Sequence, residues 1–160
     1  MADFEKSITV NAPLRAVYNQ WTQFEEFPRF MEGVKRVDQK GDKKLHWVAE
    51  IAGNTEAWDA VIVEQIPDQR ISWKNTSGAK NTGVVSFQPK GPSATTVTLR
   101  LDYEPAGVVE NVGAALGFVD RQVDGDLQRF KEFIEARGHE TGGWRGEIHN
   151  QQVEDRSASQ

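Results

Sequence analysis

Catalysis by proton transfer or nucleophilic attack needs side chains that can hold, release or share a proton, and this sequence supplies few of them. It has three histidines and no cysteine. His46 alternates with Trp47 in a segment of period two, which puts it on the opposite, solvent-facing side, and His139 and His149 lie in a polar C-terminal stretch. No serine sits beside a histidine that could act as its base. No His/Asp/Glu cluster has metal-ligand spacing, so neither a metal nor a cofactor is expected. Gly113-Ala114-Ala115-Leu116-Gly117 lacks the lysine and the strand–loop–helix setting of a phosphate loop. Arg29 and Arg121 are the cations that could polarise a carbonyl, although a solvated surface charge is the commoner role for each. Asp59 would be a buried acid only if its neighbour Trp58 pointed outward.

What the chain has in quantity is aromatic carbon: five Trp and eight Phe. Trp21, Phe24, Phe27, Phe30 and Met31 crowd into one short stretch, where they could face an apolar ligand or fill the core beneath it. Further along, Trp47, Trp73 and Phe87, with Leu99, Leu101 and Tyr103, share one parity of alternating segments and should line the inner face of a sheet. Trp58 is ambiguous, because both faces of its segment are apolar; the inward reading is preferred. Tyr103 could offer its hydroxyl to a ligand carbonyl, or satisfy it within the core, which is commoner.

The elements that must hold these residues follow from period and punctuation. Asp3 to Val10 alternates as a strand. Asn11 can cap a helix that Pro13 starts and that runs from Leu14 to about Trp21. Phe24 to Phe30 is a second short helical or turn segment, broken by Pro28. Six period-two segments then follow between Val34 and Glu104, joined by short Gly-, Pro- and Asn-rich turns that imply antiparallel neighbours. From about Val108 to Arg137 the period becomes helical. Val109, Val112, Leu116, Val119, Val123, Leu127, Phe130 and Ile134 form one stripe. Glu110, Asp120, Arg121, Asp124, Asp126, Arg129, Lys131, Glu132 and Glu135 form a solvated face. Gly113, Gly117 and Gly125 each cost about 1 kcal/mol against alanine, so a bend or separate first turn is expected before Phe118. Gly138 suits a left-handed cap. Strands in a run with helices at the ends make an α+β pattern: a curved seven-stranded antiparallel sheet around a long C-terminal helix, with two short helices after the first strand. Residues 1–138 read as that domain and residues 139–160 as a disordered polar tail.

Composition sets the surroundings. A chain of 160 residues with 38% hydrophobic and 27% charged residues is expected to be one globular domain. A net charge of −5 argues against nucleic acid as a partner. No apolar run approaches membrane-spanning length, the first residues are polar, and cysteine is absent. The expectation is therefore a soluble, cytoplasmic protein with no integral membrane segment.

Several stretches carry a family resemblance: Val10-Asn11-Ala12-Pro13-Leu14-Arg15-Ala16-Val17-Tyr18 with Trp21; Phe24-Glu25-Glu26-Phe27-Pro28-Arg29-Phe30-Met31; Trp58-Asp59-Ala60; Pro67-Asp68-Gln69-Arg70-Ile71-Ser72-Trp73; and Phe130-Lys131-Glu132-Phe133-Ile134-Glu135. In these, and in the order of its elements, the chain resembles the polyketide cyclase/dehydrase and coenzyme-Q-binding branch of the START-like (SRPBCC) superfamily, over about Asp3 to Gly138. The resemblance implies a helix-grip fold with a deep apolar cavity between sheet and terminal helix. It also implies a small hydrophobic guest there, such as a lipid, isoprenoid quinone or polyketide-like molecule. Trp21, Phe24, Phe27, Phe30, Met31, Trp47, Trp58, Trp73, Phe87, Leu101, Tyr103, Leu116, Val119 and Val123 are the residues expected to touch it. The sparse acid/base inventory favours binding over turnover. The alternatives are a polyketide aromatase/cyclase or dehydrase, which could shape a reactive chain without a triad, and a protein-interaction or stress-related module using exposed aromatics, its protein partner unspecified.

Overall fold

Strands form wherever the sequence alternates, and helices where it does not. The computed structural model describes residues 2–51, 53–78, 80–104 and 112–154. β1 (Ala2–Val10) leads through α1 (Leu14–Trp21) and a 3-10 helix (Phe24–Arg29) into β2 (Val34–Lys40), β3 (Lys44–Ile51), β4 (Asn54–Ile66), β5 (Arg70–Asn75), β6 (Lys80–Pro89) and β7 (Thr95–Glu104). The long helix α2 (Val112–Arg137) follows, and then two short strands, β8 (Glu147–His149) and β9 (Gln152–Glu154). The sheet runs β1-β7-β6-β5-β4-β3-β2, with β8 paired to β4 and β9 to β8. All of these pairings are antiparallel. This is the expected α+β helix-grip architecture, with two more strands than the seven read from the sequence. Among the described residues no helix is long and apolar enough to cross a membrane.

Local chemistry explains most boundaries. Pro13, extended at φ −63° and ψ 148°, is the residue before α1, and no side chain caps the helix. The expected Asn11 cap is not formed: the Asn11 backbone N–H donates to Glu135 Oε2 at 2.7 Å, tying the end of β1 to α2. Gly138 ends α2 at φ +76°, its N–H donating to the Ile134 carbonyl at 3.0 Å, as a left-handed glycine cap does.

At ~1.5 Å per residue, the 26 residues of α2 span roughly 39 Å. The helix is continuous from Val112, so within the described residues there is no separate first turn before Phe118. The part of the expected helix before Val112 lies outside the described residues. Val119, Val123, Leu127, Phe130 and Ile134 are buried against the sheet, as their spacing requires. The polar face is less solvated than its composition implies. Lys6 of β1 bridges Asp120 and Asp124, and Lys131 donates to the Thr9 carbonyl. Asp126 is a clear correction. Its Oδ1 accepts from Gln122 at 3.1 Å, Arg129 at 2.6 Å and the Glu32 backbone at 3.3 Å, and burial raises its pKa above the ordinary 3.8.

Residues 139–154 correct the expectation of a disordered tail. Thr141 and buried Gln20 exchange two hydrogen bonds, Thr141 N–H to Gln20 Oε1 at 2.9 Å and Gln20 Nε2 to Thr141 Oγ1 at 3.0 Å. Arg145 reaches Asn19 Oδ1 and Asp68 Oδ2, both at 2.7 Å, and lies over the Tyr18 ring. Ile148 is fully buried beside Gln65 of β4. Composition hid this because the segment docks through polar groups, Trp144 and Ile148 rather than an apolar stripe. Residues 155–160 lie outside the described residues.

Candidate functional site

An aromatic wall runs from α1 into the sheet. Trp21 packs edge-on to Phe27 at 5.4 Å, Phe27 lies 5.6 Å from Trp47, and Trp47 stacks on Trp58 at 5.8 Å with 7° between the planes. Trp47 and Trp58 are direct cross-strand partners in β3 and β4, so they share a face and Trp58 points inward. Asp59 accordingly sits on the convex face, where it accepts from His46 Nδ1 at 2.7 Å. Trp73 of β5 faces Gly83 of β6 in register. A Cβ at Gly83 would come within 2.6 Å of the Trp73 ring, so this glycine lets the indole lie flat against β6. The Trp73 Nε1–H donates to Asn81 Oδ1 at 3.2 Å.

Between this wall, the inner face of β3–β7 and α2 lies a cavity of about 160 Å³. Trp21, Phe24, Phe27 and Met31 line one side; Trp47, Trp58, Trp73, Leu101 and Tyr103 line the sheet side; Val119 and Val123 line the helix side. Three of the expected residues lie elsewhere. Phe30 is buried against Phe130 at 5.2 Å and Phe133 at 5.3 Å, because the close of the 3-10 turn aims it at α2. Phe87 has the inward parity but lies near the end of β6, where Tyr18 meets it edge-on at 5.4 Å and Trp21 at 6.5 Å. Leu116 is half-buried and not part of the wall. Arg29 lies over the Phe133 ring and pairs with Glu26, and Arg121 is exposed, so neither cation lines the cavity.

Apart from Tyr103, the polar groups of the site were not found from the sequence. Gln122 and Asp126 line the cavity beside Phe118, with Glu50 and Asn81 from the sheet. Phe118, Gln122 and Asp126 are spaced by four, a stripe adjoining Val119, Val123 and Leu127; that spacing was the available signal. Asp126 is held by Arg129 and Gln122, so the charge next to the cavity is already partnered on one oxygen. Tyr103 is almost fully buried, and its hydroxyl has no hydrogen-bond partner among the described residues. Burial and the negative charge of Glu56 raise its pKa, so it remains a neutral donor. Among the described residues the wall contains no histidine, lysine, arginine, serine or threonine. The chemistry on offer is apolar desolvation, the Tyr103 hydroxyl, the unpartnered Trp21 Nε1–H, and two carboxyls with two amides.

Comparison with known proteins gives three findings. A family profile described as "Polyketide cyclase / dehydrase and lipid transport" matches residues 10–132. An uncharacterized 17.2 kDa protein of Streptomyces lincolnensis is 51% identical over 149 residues, covering 92% of this chain and 99% of its own. Among solved structures, the Zhui aromatase/cyclase of Streptomyces sp. R1128 superposes with TM-score 0.74 at 15% identity, over 89% of this chain and 98% of its own. A START superfamily protein of Mycobacterium smegmatis does so with TM-score 0.65 at 19% identity, over 84% and 95%. At these identities the two structures share the fold.

Proposed function

Because the chain belongs to the polyketide cyclase / dehydrase and lipid transport family, we propose that it binds a small apolar molecule of about one or two fused rings beneath α2. The observation that carries this reading is the cavity of about 160 Å³, walled mainly by aromatic and aliphatic side chains. An apolar void of about 150 Å³ takes up benzene, so volume favours a ring-sized guest over an extended chain. Enclosing a ring of ~150–250 Å² at ~25 cal/mol per Å² gives about 4–6 kcal/mol, a Kd of roughly tens of micromolar to about 1 mM. Tyr103 then orients the guest by donating to an oxygen acceptor, a bond worth about 0.5–1.5 kcal/mol.

Titrating the protein with naphthalene and 1-tetralone, read by tryptophan fluorescence, tests this. Both should bind within that range, and Tyr103→Phe should weaken the ketone by about three- to tenfold while leaving naphthalene unchanged. No binding of either compound refutes the proposal.

A second reading, cyclisation of a poly-β-ketone, is supported by the neutral Tyr103 donor sharing a cavity with Asp126, a carboxyl whose pKa is raised. Turnover of a short diketide or triketide mimic, lost in both Tyr103→Phe and Asp126→Asn, would establish it.

A further inference from the structure

On the opposite face of the sheet from the cavity lies a groove of about 650 Å³, bordered by the β2–β3 turn and by the β8–β9 turn. Its floor includes Val61, and its walls carry Lys40, Lys43, Lys44 and Lys74, with Gln151 from the C-terminal hairpin. The register fixes their spacing. Lys44 and Lys74 both pair with Val61, one on each side, so their backbones are about 10 Å apart at two strand spacings. Lys40 is the direct partner of Lys44 across the β2–β3 ladder, where like charges oppose at a Cβ separation of ~5 Å. Lys43 donates to the Gln151 carbonyl at 2.9 Å, which ties the hairpin to the groove's edge.

This arrangement breaks a local rule. Directly opposed like charges destabilise a ladder, and among the described residues Lys40, Lys44 and Lys74 form no ion pair. The acid in the wall, Asp59, is engaged by His46 and by the Ser77 hydroxyl at 3.2 Å, and of the lysines Lys40 also acts on it electrostatically. Protection of a sheet edge against aggregation explains Lys40 on edge strand β2. It does not explain Lys44 or Lys74, whose strands flank β4 inside the sheet. Local conflicts that are only partly compensated mark sites where something else supplies the balance.

We infer that the groove is a binding site for a small phosphate-bearing polyanion, distinct from the apolar cavity. The walls contribute lysines and no arginine. Ammonium groups bind phosphoryl oxygens as point charges, and four of them around one groove suit an anion that carries several charges in a small volume. The chain carries a net charge of −5. A broad anionic surface such as a membrane would therefore meet repulsion outside the groove, and a small anion seated inside it would not.

Isothermal titration with inorganic tripolyphosphate at 20 mM salt tests the inference. Saturable 1:1 binding is expected, weakening at least tenfold at 150 mM salt, where the screening length falls to ~8 Å. The double variant Lys44→Gln/Lys74→Gln should lose tenfold or more in affinity, while Lys90→Gln, on the distant β6–β7 turn, should bind as the parent does. Melting curves would check that these exposed substitutions leave the fold intact. ATP competing with tripolyphosphate would identify a nucleotide source, and a water-soluble inositol phosphate competing would identify a headgroup. Equal binding by the parent and the double variant overturns the site. So does binding to phosphatidylserine vesicles or to an acidic peptide that tripolyphosphate fails to displace.

Discussion

Filling the cavity separates a ligand site from an imperfect core. Val123 lines the void from α2 and is only 7% exposed, so Val123→Phe would project a ring into it. Voids destabilise by ~24 cal/mol per Å³, so the space of about 160 Å³ corresponds to about 4 kcal/mol relative to a filled core. Removing even ~40 Å³ of it returns about 1 kcal/mol. For a domain of this size that is a rise of about 2–4 °C in melting temperature. Binding of naphthalene should fall at least tenfold in the same variant, because the guest and the new ring compete for one volume. Overpacking a close-packed core has the opposite sign, a loss of typically 1–3 kcal/mol. Scanning calorimetry and fluorescence titration on one preparation therefore give two independent readouts. A variant that melts lower by several degrees and binds naphthalene as before would refute the existence of an open cavity. Truncating Trp21 or Phe27 is a poorer probe. Both belong to the continuous aromatic packing with Phe30 and Phe130, and Trp or Phe to Ala in such a site costs about 3–5 kcal/mol whatever the ligand.

Gly83→Ala should displace the Trp73 ring, seen as a changed tryptophan emission maximum and weaker naphthalene binding, whereas Gly91→Ala, strained at φ +97° but with nothing within 4 Å of its Cβ, should lower stability and change neither readout. Ile148→Ala should lower stability by about 2–5 kcal/mol in urea denaturation; a change near zero would mean that the C-terminal hairpin does not belong to the core. Burial, opposed by hydrogen bonds from Arg129 and Gln122, holds the Asp126 carboxyl above its usual pKa, so its ionisation is harder in the folded chain than in the unfolded one. Parent stability relative to Asp126→Asn should therefore be greatest at the acid end, fall as pH rises through the raised value, and level off above it. Paired melting curves from pH 4 to 7 would show this, and a difference that stays flat or grows with pH contradicts it.

The fold was legible because its determinants are periodic and local. Alternation placed the strands, spacing of three and four placed the buried stripe of α2, and Gly138 ended the helix where a left-handed residue is needed. The cavity wall was legible in the same degree, since Trp47, Trp73, Leu101 and Tyr103 share a parity that the register preserves. Parity misplaced Phe87, because facing inward does not say how far along a strand the void extends. Phe30 was misplaced for a related reason, since no periodic rule governs a six-residue 3-10 turn interrupted by Pro28. Asp126 was hidden by composition. A carboxylate on a polar helix face reads as solvated until Glu32, from a loop more than ninety residues earlier, closes over it.

That pattern bears on how the site works. Its apolar part is written in periodic positions and comes with the fold, so other chains of this architecture can have a comparable hollow with different contents. Its polar part comes from single residues brought together only by tertiary closure: Tyr103 at the end of β7, and Gln122 with Asp126 on α2. The Tyr103 hydroxyl makes no hydrogen bond to the described residues, so an acceptor on a guest that takes it from water would gain about 0.5–1.5 kcal/mol. On the proposed reading, desolvation of the ring would supply most of the affinity, and the Tyr103 hydroxyl would favour rings that carry an oxygen acceptor.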